Sequence, residues 1–600
     1  MGILIAGILA AASAAPPLHY SFEVRRAEGT IYNPWTQSDD RVELRSFVGS
    51  GAKPGDFVAP VMHVSPGQQL SIDLDNKLEP CTDKQRADQL CFNDTNLHTH
   101  GLWVSPSGNS DNVLVTIKPG DQFHYKYEIP VEHPAGTFWY HPHQHGAGFV
   151  QVGSGMAGAL IVTGNRLPTA TSPGDVDVLL KDETGRPFPE RVMIFQHIVY
   201  GCFDEKGRIE GERTKKDDPV RPFTCKAGEV GRVESFDNDW SWRYSGRFTG
   251  INGRVEPELA AAKAGGFERW RMINAGRGEP MRMRLYRLDP SAPALRAVKG
   301  EAQIAWRERY CTGQPLPMWE LALDGLTRTA IRKTDVAVLF PGERKDVLVR
   351  LPERGRYCIV NDTTPDNPPK FDPPNPSRAI TTVEAKGGRT SSESSDGLLQ
   401  TALIRAAERA LPGTDASAIR SKVIADLKDG LKLTSFDWHK PVQDAEISGY
   451  REAIINIVGG PEHGAFRING RAYEHGRIDQ VLPLGKAEEW EAVALVEDHP
   501  LHIHVNPFEI VSITDEDGRD RTDPKGPAYD PDYAGMIGQW KDTVLVKEND
   551  RVIFRTRYER FTGDFVLHCH ILFHGDHGMM QNLRIAAEGD EAMPPSHAAH

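Results

Sequence analysis

Near the end of the chain, Asp564 to Met580 reads DFVLHCHILFHGDHGMM. Four histidines and a cysteine fall between His568 and His577, and Met579 stands two residues further on. Imidazole nitrogen, thiolate and thioether sulfur are ligands that transition metals select. On an extended strand residues i and i+2 share a face, and residue i+1 takes the other. His568 and His570 can therefore reach metal ions on one side while Cys569 reaches a metal on the other. The covalent path between the two sides is a few bonds long, a natural route for an electron. A structural zinc has no use for this arrangement, because zinc carries no redox chemistry and is satisfied by four ligands.

Three other segments carry the same residue type: HTHG (His98, His100), WYHPHQHG (His141, His143, His145) and HPLHIH (His499, His502, His504). One His-x-His alone reads as two packed or surface histidines. These four segments hold half of the chain's 22 histidines even with His577 left out, which calls for a common cause. The thiolate side is the more specific. Two histidines and a cysteine with a weak axial methionine form the ligand set of a type 1 copper. His574 follows Cys569 by five residues and Met579 by ten, so a turn-sized loop can fold both back to one ion. The second imidazole has to come from a triple-histidine segment.

The elements that would position these residues are short strands broken by Pro and Gly. VMHVSPGQQLSIDLDNKL, DQFHYKYEIP, GALIVTG and AVLFPGERKDVLVRLPERGRYCIV alternate apolar and polar residues around turn signals, a pattern of sandwiches or Greek-key barrels. SPGQQLSIDLDNKL, KAGGFERWRMINAG (Lys263 to Gly276) and LPLGKAEEWEAVAL (Leu482 to Leu495) share one plan, a glycine turn followed by an alternating strand. Three copies predict three related sandwich domains. AKGGRTSSESSDG (Ala385 to Gly397) reads as a linker, and LLQTALIRAAERALPG after it as a short helical insertion that acts as a solvated spacer.

Taken together, the motifs H-x-H-G, H-x-H, H-P-x-H-x-H and H-C-H-x-x-x-H-x-x-x-x-M resemble the copper signatures of the multicopper oxidases, the family of laccases, bilirubin oxidases and ascorbate oxidase. RWRMINAG and LFPGERKDVLV resemble that family's middle domain. The resemblance spans nearly all of the chain and implies an all-β fold of three cupredoxin-like domains. The expected layout is a leader at 1–15, domains at 16–170, 171–385 and 431–588, a linker with the helical insertion at 386–430, and a flexible tail at 589–600. The resemblance implies four copper ions. The type 1 ion would take His499, Cys569 and His574 with Met579 axial, and the type 2 ion His98 and His502. The type 3 pair would share His100, His141, His143, His504, His568 and His570. His145 and His577 are left over. Electrons from a small-molecule reductant would enter through an exposed edge of His499 or His574, and O2 would be reduced to water at the other three ions.

Reducing O2 needs protons, so acids belong near that cluster. Asp111 and Asp542 (in WKDTV) match recurrent acidic positions of the family and are the expected catalytic acids. Some bacterial relatives carry an acid straight after the last type 1 histidine, where this chain has Gly575, so any role tied to that position is in doubt. An axial Met implies a lower potential than Leu or Phe there. Phenols or aromatic amines are the expected reductants, with bilirubin, Fe(II) or Cu(I) as alternatives. The 12 methionines form no cluster of the kind that captures Cu(I).

A net charge of −13 argues against a nucleic-acid-binding surface. MGILIAGILAAASAAPP reads as an export signal, with an apolar run from Ile3 to Ala12 and a small-residue cleavage site at Ala12-Ser13-Ala14. At about ten residues the run is half of what a spanning helix needs. The expectation is a secreted or periplasmic protein with no membrane anchor after cleavage. Seven cysteines leave Cys569 over once neighbours pair as Cys81–Cys91, Cys202–Cys225 and Cys311–Cys358, one of fifteen possible connectivities. A single-domain electron carrier would need the type 1 set alone, and a two-domain copper nitrite reductase would lack type 3 ligands.

Overall fold

The computed structural model describes residues 15–87, 91–207, 225–234, 247–362, 377–388, 393–413, 417–459 and 465–590. The expected leader up to residue 14, part of the linker (389–392) and the tail from 591 lie outside these residues. Six sheets pair into three sandwiches. The first core joins Phe22, Leu70 and Ile72 of one sheet to Phe138, Tyr140 and Leu160 of the other. The second is built on Trp270, Met272, Met283 and Ile359, and the third on Trp490, Phe554, Leu501 and Leu567.

The three repeated segments occupy one topological position. Each begins at a glycine turn, Gly67, Gly265 or Gly485, with φ of +78°, +78° and +77°, a backbone that costs a side-chain-bearing residue strain. The strands that follow are Gln69–Asn76, Phe267–Asn274 and Ala487–Ala494. Each lies between one parallel and one antiparallel neighbour. The domain edge expected at 170 is not clean. Gly201–Phe203 and Val230–Arg232 extend the first sandwich's larger sheet from beyond it.

The helical segment is not a solvated spacer. Helices α1 (Ser395–Ala410) and α2 (Ser417–Lys428) bury Leu399, Leu403, Ala407, Val423 and Leu427 against Phe267, Trp319, Leu321 and Leu348 of the middle sandwich. The sheet face they cover is apolar, so exposing it would cost more than ordering the two helices. Ser394 caps α1 by accepting from the Gly397 N–H.

All three expected disulfides are present, Cys81–Cys91, Cys202–Cys225 and Cys311–Cys358, and Cys569 is a free, buried thiol. Among the described residues no helix is long and apolar enough to cross a membrane.

Candidate metal centre

Strand β1 (His98–His100) pairs antiparallel with β2 (Gly136–His141), setting His98 opposite His141. In the third sandwich β3 (His499–Ile503) pairs with β4 (Gly563–Cys569), setting His502 opposite His568 and Leu501 opposite Cys569. The two strand pairs meet face to face across the domain boundary. His98 stacks on His504 and His100 on His502, each with ring centroids 3.8 Å apart. The first and third sandwiches each contribute half of one histidine nest.

Among the groups whose candidate ligand atoms lie within 4.8 Å of one another are His98/His100/His502, His100/His141/His570, His143/His504/His568 and His499/Cys569/His574. The alternation read in the sequence holds. The Cys569 Sγ lies 3.5 Å from His499 Nδ1 and 3.7 Å from His574 Nδ1. Next to it, His568 Nε2 lies 3.1 Å from His143 Nε2 in the other nest.

The donor set fits metal ions. Buried nitrogens His98 Nε2, His100 Nδ1, His141 Nε2, His502 Nε2 and His504 Nδ1 have no hydrogen-bond partner in the protein, nor has either nitrogen of His570. A buried polar atom without a partner costs about 1–3 kcal/mol, so several in one place are tolerated when an ion takes their lone pairs. Burial first, then the crowding of neighbouring imidazoles, holds His98, His504 and His570 well below the usual histidine range. Burial brings His141 and His568 down to about 3. Neutral imidazoles are the ligating form.

For His98, His141 and His502 the second ring nitrogen is held by the protein, which fixes tautomer and orientation. His98 Nδ1 lies 2.9 Å from Asp111 Oδ2, His141 Nδ1 2.9 Å from the Pro142 carbonyl, and His502 Nδ1 2.8 Å from the Asp542 carbonyl. Asp111 also accepts from the Thr99 N–H (2.7 Å) and hydroxyl (3.0 Å). Burial pushes its carboxyl up to about 7 against those hydrogen bonds. Asp542 is the opposite case. Burial disfavours its charge, but the Arg344 guanidinium overrides that and holds the carboxyl well below the usual carboxylate range. This keeps Asp542 ionised and leaves Asp111 the better placed of the two to carry a proton.

Around Cys569 the site is closed. His499 is 0% and His574 1% exposed, so neither imidazole presents an edge to solvent, contrary to the expectation. Phe466 stacks on His574 at 4.7 Å, and His499 Nε2 donates to the Val496 carbonyl at 2.8 Å. The outward nitrogen of His574, Nε2, faces the Glu497 carboxylate at 3.9 Å. Glu497 holds φ +68°, a conformation that costs a non-glycine residue about 1–2 kcal/mol and that surrounding structure has to impose. Met579 is fully buried with Cys569, and its carbonyl accepts from the Cys569 N–H at 3.1 Å.

Two family descriptions match the chain, both "Multicopper oxidase", one over residues 52–166 and the other over 446–589. Between them they contain every candidate ligand. The chain belongs to the multicopper oxidase family. Members are copper-dependent oxidoreductases that use O2, with type 1, type 2 and type 3 sites. A multicopper oxidase of Staphylococcus aureus is 21% identical over 543 residues, 88% of this chain and 83% of that one. The bilirubin oxidase of Albifimbria verrucaria is 32% identical over 117 residues, 19% of this chain and 18% of that one. The solved multicopper oxidase of Campylobacter jejuni, described as a metallo-oxidase, superposes with a TM-score of 0.59 at 20% identity, covering 95% of this chain and 91% of that one.

In this multicopper oxidase His145 and His577 stand apart from the four ligand groups. His145 packs tilted against Tyr473 with ring centroids 4.5 Å apart, and His577 stacks on Phe573 at 3.9 Å with Nδ1 donating to the Phe573 carbonyl. A cleft lined by His143, His145, Tyr473, His475, Val566 and Met580 reaches the nest beside His143. Gly575 leaves no side chain near His568. Its neighbour Asp576 instead accepts from the Gly146 N–H (3.0 Å) and the Phe149 N–H (2.7 Å), tying the His574–Met579 loop to the segment after His143. Sequence reasoning did not assign Asp576, although it sits inside the opening motif. Arg344 lies in LFPGERKDVLV, but nothing local relates it to Asp542, 198 residues away.

Proposed function

We propose that this chain is a laccase-type oxidase of phenols or aromatic amines. His499, Cys569, His574 and Met579 would hold the type 1 copper, and His98 with His502 the type 2 copper. His100, His141 and His570 would hold one type 3 ion, and His143, His504 and His568 the other. When bound, these ions accept single electrons at the type 1 position and deliver four to O2, which with four protons gives two waters. The observation that carries the reading is the adjacency of Cys569 to His568 and His570 at the end of β4, with their ligand atoms in two separate nests.

The chain's own residues divide the remaining work. Glu497, beside the outward nitrogen of His574, is an acceptor for the O–H or N–H that an organic reductant loses with its electron. Leu495 and Val458 are exposed apolar residues, one two positions from Glu497 and the other paired across from Ala465 beside Phe466. Asp111, hydrogen-bonded to His98, is the proton-holding group nearest the histidine nest. Three disulfides and the expected leader support export.

Glu497 also favours a second reading, a metallo-oxidase whose reductant cation is held by that carboxylate. O2 uptake measured with phenols, bilirubin, Fe(II) and Cu(I) decides. The laccase-type reading expects the highest kcat/KM with phenols, and a clear preference for either metal ion overturns it in favour of the second.

A further inference from the structure

The middle sandwich supplies no candidate ligand, yet it reaches into the histidine nest through one side chain. Arg344 is fully buried and grips the Asp542 carboxylate with both terminal nitrogens, Nη1 to Oδ1 at 2.7 Å and Nη2 to Oδ2 at 2.5 Å. Its remaining donors go to main-chain carbonyls: Nη2 to Asp324 at 2.9 Å, Nη1 to Gly342 at 3.3 Å and Nε to Thr137 of the first sandwich at 3.4 Å. Lys541, next to Asp542, pairs with Asp324 and Glu343 of the middle sandwich at 3.0 Å each. A fork-to-fork contact between a guanidinium and a carboxylate fixes direction as well as distance.

What this grip holds in place is a reversed histidine. His98, His141, His502 and His568 all engage the protein through Nδ1. His100 does so through Nε2, which lies 3.2 Å from Asp542 Oδ1 and 3.3 Å from the Thr543 hydroxyl, leaving its buried Nδ1 as the orphan. Asp542 thus treats two stacked histidines in opposite ways. Its carbonyl takes the Nδ1 proton of His502, and its carboxylate faces Nε2 of His100. The Thr543 hydroxyl donates to the same Oδ1 at 2.9 Å, so its oxygen too faces His100 as an acceptor. Gly101, at φ +82°, has no room for a side chain, because a Cβ there would collide with the Arg344 guanidinium and the Asp542 carboxylate. The glycine of H-x-H-G is therefore part of the same device.

We propose that Arg344, acting through Asp542, is a positioning residue that keeps the proton of His100 on Nε2 and its lone pair on Nδ1, so that the ligand-free middle domain selects the metal-binding tautomer. The proposal rests on the copper-ligand reading above and extends it. The test uses full-length protein loaded with copper, read by copper per chain, the near-ultraviolet absorption of the type 3 pair and the blue absorption of the Cys569 site. Arg344→Met combined with Asp542→Leu removes the ion pair without leaving a buried charge, a replacement proteins often tolerate. Asp542→Asn keeps an oxygen facing His100.

The expected result is loss of the type 3 absorption and of bound copper in the double variant, with the blue absorption unchanged, and retention of both absorptions in Asp542→Asn. Full type 3 absorption in the double variant overturns the proposal. So does loss of the blue absorption along with it, which would make the pair a general stabiliser. Equal loss in Asp542→Asn also overturns it, since charge rather than an acceptor would then be what matters. Wild-type protein measured alongside separates the two readings: absence of type 3 absorption there sinks the ligand assignment itself.

Discussion

The Glu497 carboxylate lies 3.9 Å from Nε2 of His574, whose Nδ1 is turned inward to Cys569 and His499. Both imidazoles are buried, and in the proposed reading this carboxylate is the polar group that a reductant meets before His574. Glu497→Gln keeps the shape and removes the charge. KM for phenols is expected to rise roughly tenfold, equivalent to about 1.4 kcal/mol, with the blue absorption unchanged. An unaltered KM across a phenol series would remove Glu497 from substrate binding.

Asp111 is proposed to act at the histidine nest, not at Cys569. Its hydrogen bonds to His98 and Thr99 fix it beside the histidine nest, and burial favours its protonated form. Asp111→Asn is expected to slow O2 consumption by about 10²-fold or more. Anaerobic bleaching of the blue absorption by a phenol should proceed at the wild-type rate. Equal slowing of both would place the defect at Cys569 and not in proton supply.

Met579 is buried with Cys569, and an axial thioether lowers the potential of a type 1 site. Met579→Leu is expected to raise that potential, measured by redox titration of the blue absorption. An unchanged or lowered value contradicts the assignment of Met579 as axial ligand.

The helical hairpin is expected to matter for stability and not for chemistry. Leu403 is 0% exposed between α1 and the middle sandwich. Leu403→Ala should destabilise the fold by about 2–5 kcal/mol. A lowered Tm with an unshifted blue absorption is the expected pair of readings, and an unchanged Tm would return the hairpin to the role of a spacer.

What was legible in the sequence was whatever local geometry governs. Strand alternation places His568, Cys569 and His570 on opposite faces without further information, and the glycine turns at Gly67, Gly265 and Gly485 announce three equivalent strands. Pairing of neighbouring cysteines also held. Contacts between distant segments were not legible. Arg344 meets Asp542 through the packing of the middle domain on the third, and Asp576 meets Gly146 and Phe149 through the packing of the third domain on the first. The amphipathic pattern of α1 shows an apolar face but not that Trp319 and Leu321 wait to receive it. The burial of His574 depends on Phe466, in the strand Ala465–Ile468, and on Glu497, in the bend before β3.

The central claim is that Cys569 and its two flanking histidines serve different copper sites. The absorption spectrum of copper-loaded Cys569→Ser, taken beside the wild type, tests it most directly. The blue thiolate absorption is predicted to vanish while the near-ultraviolet absorption of the type 3 pair remains, with oxidation of phenols abolished. Persistence of the blue absorption in the variant, or its absence from the copper-loaded wild type, would contradict the account.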